Sequence, residues 1–95
     1  MSPLAGRTAL VCGGSEGIGL AAAQALAAMG ARVLLLARTE SKLQAALTTL
    51  PAASDGAHGL IVADAAKPDE LVERVRTSLG GATVSVLINN SAGPP

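Results

Sequence analysis

Not one Phe, Tyr or Trp occurs in the 95 residues. Any core must therefore be built from aliphatic side chains alone, and no phenol is present within these residues to act as a positioned acid. Cysteine is almost as scarce. Cys12 stands alone, which excludes an internal disulfide and a cysteine-built zinc site and fits a reducing compartment. Charged side chains make up only 15 % of the chain, and seven basic residues balance seven acidic ones. That distribution offers no electrostatic footprint for nucleic acid or an anionic membrane. No stretch reaches the roughly 18 uninterrupted apolar residues of a membrane span, and "MSPLAGRTALV" lacks the charged start and long apolar run of a secretion signal. A cytoplasmic protein with neither nucleic acid nor membrane as partner is expected.

What is present is an aliphatic pattern with two alternating periods. Hydrophobic residues make up 49 % of the chain, enough for collapse around a core. Four short apolar runs recur: "TALVC" from Thr8, "RVLLLA" from Arg32, "GLIVA" from Gly59 and "VSVLIN" from Val84. They are nearly continuous rather than alternating, as strands are when helices cover both faces of a parallel sheet.

Helical spacing fills the intervals. Ile18, Ala21, Ala22, Ala25, Leu26 and Met29 fall on one predicted helix face, with Gly30 as the stop. Leu43, Ala46, Leu47 and Leu50 form a second stripe, preceded by Ser41 and Gln44 in capping-box spacing and closed by Pro51. Leu71, Val72, Val75 and Leu79 form a third, with Pro68 in the first turn and Gly80-Gly81 beyond the end. The order β-α-β-α-β-α-β predicts an α/β fold, a doubly wound parallel sheet with right-handed crossovers and strand order 3-2-1-4. Its first two helices share one face and the third crosses the other.

The segment "GGSEGIG" follows the first strand directly and opens the first helix. Gly13, Gly17 and Gly19 are its key positions, with Gly14 as an extra glycine. Gly13 permits a tight turn, Gly17 lets a pyrophosphate approach the backbone, and Gly19 lets the helix pack closely on the sheet. Free N–H groups from Ser15 to Ile18 would face the phosphates. The competing reading is a loop whose glycines serve turning alone; the strand before and the helix after favour the phosphate cradle.

"CGGSEGIG" resembles the cofactor loop of the short-chain dehydrogenase/reductase family, T-G-x-x-x-G-I-G, with Cys12 in place of the usual Thr. "NNSAG", from Asn89 to Gly93, resembles that family's N-N-A-G at the end of strand 4. The resemblance spans the whole chain and implies a Rossmann-type domain that binds a nicotinamide dinucleotide. Arg38, just after the second strand, offers planar donors suited to a ribose 2′-phosphate, so NADP(H) is favoured over NAD(H). Glu16 in the glycine loop opposes that preference, and a solvated strand-end charge is the alternative for Arg38. The resemblance implies that Asp64 bonds the adenine amino group with help from the Ala65 amide, and that Asn90 sits beside the cofactor. Alone, Asp64 reads equally as a helix-entry carboxylate and Asn90 as a strand-end turn.

His58 is the sole histidine and is expected to be an exposed loop residue, which leaves no hydrolytic triad. The family transfers hydride between nicotinamide and a carbonyl or alcohol, using a Ser and a Tyr-x-x-x-Lys. This chain has no Tyr, and Lys67 is its last Lys. Residues 1–95 are accordingly expected to be the truncated N-terminal part of a single NAD(P)-binding domain, without the catalytic half, from a parent that forms a homo-oligomer. "VSVLIN" lacks the charges or proline that protect an open edge and asks for a further strand. The alternatives are a non-catalytic nucleotide-binding module and a structural half-domain that pairs through its fourth strand.

Overall fold

The computed structural model describes residues 3–13, 17–51, 58–63, 67–81 and 83–89. Seven elements follow in the order expected: β1 (Thr8–Cys12), α1 (Gly17–Ala28), β2 (Arg32–Ala37), α2 (Glu40–Leu47), β3 (Gly59–Val62), α3 (Pro68–Leu79) and β4 (Val84–Asn89). The strands form one parallel sheet in the order β3-β2-β1-β4. This is the doubly wound arrangement. Sequence order turns back between β1 and β4, which makes their carboxyl ends the topological switch point of the sheet.

Each face of the sheet carries its own aliphatic core because alternate residues of a strand point to opposite sides. Ala9, Val11, Val33 and Leu35 meet Ala23, Leu26 and Ala27 of α1 and Leu43 and Ala46 of α2. On the reverse face Leu10, Leu34, Leu36 and Ile61 form a smaller cluster, against which Leu71, Val75 and Leu79 of α3 pack. The apolar runs of β1 and β2 are continuous because both of their faces are covered. Burial thins outward. Leu87 of β4 lies opposite Leu10 in the register, yet it is 61 % exposed, and α3 has no fully buried residue.

Two details correct the helical reading. The buried residues of α1 are Gly19, Ala23, Leu26 and Ala27, whereas Ile18 is 78 % exposed and Ala21, Ala25 and Met29 also face outward. Gln24 is the only polar side chain in α1, so hydrophobic spacing cannot single out a face. Small side chains choose it, since Gly19 and Ala23 let the backbone come nearest the sheet. The capping box does not form either. Thr39, not Ser41, is the N-cap of α2 and makes no side-chain cap bond, while Gln44 donates to the Glu40 carboxylate at 3.0 Å.

The helical stops hold in one case and shift in another. At the end of α1, Gly30 adopts φ 97 while its N–H donates to Ala27 and the Ala31 N–H reaches back to Leu26. This paired C-terminal closure needs a left-handed residue, and glycine supplies it. The α2 helix ends at Leu47, before Pro51, with Thr49 and Leu50 donating to carbonyls three residues earlier. In α3, Val72 is 52 % exposed and lies off the stripe that Leu71, Val75 and Leu79 present to the sheet.

Leu35 is completely buried at the centre of the larger core. Truncation by Leu35→Ala is expected to destabilise the fold by about 2–5 kcal/mol, through lost apolar transfer and the cavity left behind. Chemical denaturation of the two proteins, compared at their midpoints, checks this.

Candidate functional site

Parallel pairing brings the ends of the strands to one edge. Cys12 lies opposite Leu36 on one side and Asn89 on the other, and Ala37 lies opposite Val62. The carboxyl ends of β1, β2, β3 and β4 therefore all lie along one edge of the sheet. The Gly13 N–H extends the pairing by one residue, donating to the Leu36 carbonyl at 2.7 Å, and Ala63 does the same to Ala37 at 3.0 Å.

The chain then turns away at Gly13, whose φ is 75. Gly17, at the start of α1, has φ 65. Both angles lie in the left-handed region, where an L side chain costs roughly 1–2 kcal/mol. A Cβ on Gly17 would meet no atom within 4 Å, so conformation rather than crowding within the chain demands glycine there. The space above that backbone is open to an approaching group. Gly19, in the first turn of α1, is buried. No acidic residue occupies the first turn of α1, so no side chain of that turn neutralises the positive end of its dipole. Phosphate oxygens suit such a terminus.

Arg38 leaves the neighbouring strand on the same edge and is exposed. It forms no ion pair with a described residue, whereas Arg74 and Arg76 are engaged by Glu70 and Glu73 on α3. Glu40, the first carboxylate after Arg38, is held by Gln44. The edge thus presents a glycine turn, a first helical turn without acidic residues and, among the described residues, a guanidinium with no ion pair, features that suit phosphate groups, while Glu16 directly before α1 lies outside the described residues. Ile18 sits in the first turn of α1 with its side chain in solvent. Gly14, Ser15, Asp64, Ala65 and Asn90 lie outside the described residues.

Cys12 closes β1 just below the turn and is partly buried against the smaller core. Burial pushes its thiol pKa up. The neutral thiol is therefore the form that fits, and the stability it lends is present at neutral pH and lost as pH rises into the alkaline range. Sequence reasoning misread one residue near the site's supporting strands. His58 is not a free loop side chain, because its ring bonds the backbone of Val33 and of Pro51. Its place immediately before β3 was the available signal.

A 3-2-1-4 parallel sheet with a glycine turn at the switch point defines a Rossmann-type dinucleotide-binding fold. The chain belongs to the short-chain dehydrogenase family, whose model matches residues 7–94. It is 35 % identical over 85 residues to an orangutan (Pongo abelii) protein named inactive hydroxysteroid dehydrogenase-like protein 1, covering 90 % of this chain and 26 % of that one. With a very-long-chain 3-oxoacyl-CoA reductase of Anas platyrhynchos the identity is 33 % over 90 residues, covering 95 % and 29 %. A metagenomic short-chain oxidoreductase solved in complex with NADP superposes with a TM-score of 0.79 at 33 % identity, over 90 % of this chain and 39 % of that one. The chain thus spans between a quarter and a third of the length of these two curated relatives. NAD(P) is the cofactor of the family, and no helix among the described residues is long and apolar enough to cross a membrane.

Two outcomes are expected. Gly17→Ala should cost about 1–2 kcal/mol of stability from the φ penalty alone, read by thermal denaturation. Alkylation of Cys12 by iodoacetamide should be slower at neutral pH than that of an unstructured thiol and should accelerate in the alkaline range, followed by intact mass.

Proposed function

We propose that residues 1–95 are the N-terminal, dinucleotide-binding part of a single NAD(P)-binding domain in an oxidoreductase, and that NADP(H) is preferred over NAD(H). The observation that carries this reading is the pairing of the left-handed glycines Gly13 and Gly17 with an exposed, uncommitted Arg38 on one sheet edge. The glycine turn and the start of α1 bind the pyrophosphate, with Gly14, Ser15 and Ile18 completing the cradle. Arg38 takes the 2′-phosphate through paired N–H donors. Asp64 and Ala65 hold adenine, and Asn90 lies beside the cofactor at the end of β4. The neighbour in complex with NADP supports the choice of cofactor.

The bound nicotinamide supplies hydride exchange with a carbonyl or alcohol of the substrate. The residues of this chain bind and orient it, and the proton is handled by groups beyond them, since the chain has no Tyr. Substrates of the whole protein are drawn from carbonyl compounds of the kind named in its relatives, a steroid or a 3-oxoacyl thioester. The parent works in the cytoplasm as a homo-oligomer. A second reading, dinucleotide binding without turnover, draws support from the relative named inactive.

NADPH fluorescence tests the assignment, free of tryptophan background because the chain has none. Arg38→Glu is expected to weaken NADPH binding by about tenfold to a hundredfold, equivalent to about 1.4–2.7 kcal/mol, while NADH binding stays within about twofold. Equal loss for both dinucleotides removes the 2′-phosphate role.

A further inference from the structure

We draw no further inference here: the strongest candidate, the groove along the outer edge of β3, lined by Leu60 and Val62 with Glu40 of α2 and Glu73, Arg74 and Thr77 of α3, carries nothing, because its charged rim residues are engaged within their own helices and nothing in the structure shows what covers it.

Discussion

Everything at the functional edge depends on β1 being hydrogen-bonded in parallel on both sides. A strand so placed has no free edge and two covered faces, so its residues must be apolar throughout, and Ala9, Leu10 and Val11 are all buried. In return, its carboxyl end is fixed relative to two other strand ends, through Cys12 opposite Leu36 and opposite Asn89. Gly13 inherits that precision through its bond to Leu36. Gly13 is therefore anchored to a strand that is paired on both sides.

Lack of aromatic side chains shapes how that rigidity is achieved. The larger core joins Leu and Val of the strands to alanines of α1, so the helix comes close to the sheet in place of being held off by bulky rings. Gly19 belongs to the same seam. One run of small residues thus packs the helix against the strands and fixes where its N-terminus begins, beside the carboxyl end of β1.

The strands were legible because each apolar run is short and bounded; three of four match residue for residue, and β3 ends one residue early. Strand order followed from the alternation of elements and the handedness of crossovers. The face of α1 was not legible, because nearly every residue in it is apolar and the deciding variable is side-chain size. Ser41 illustrates a different failure: capping boxes are defined by spacing, and Thr39 two residues earlier satisfies the backbone geometry without using its hydroxyl. At the site, Gly13, Gly17, Gly19 and Arg38 could be placed from the motif and its position after a strand. His58 escaped notice because its partners are main-chain groups, which leave no pattern in side-chain types.

The helix α3 contributes three half-buried aliphatic residues to the sheet and no fully buried one, and its ion pairs, Glu70 with Arg74 and Glu73 with Arg76, are internal to it. Among the described residues, those three are the aliphatic side chains that tie it to the sheet. It is the natural unit of sub-global opening, able to lift from the sheet and expose Leu10, Leu34 and Leu36 while β1, β2 and the first two helices keep their core.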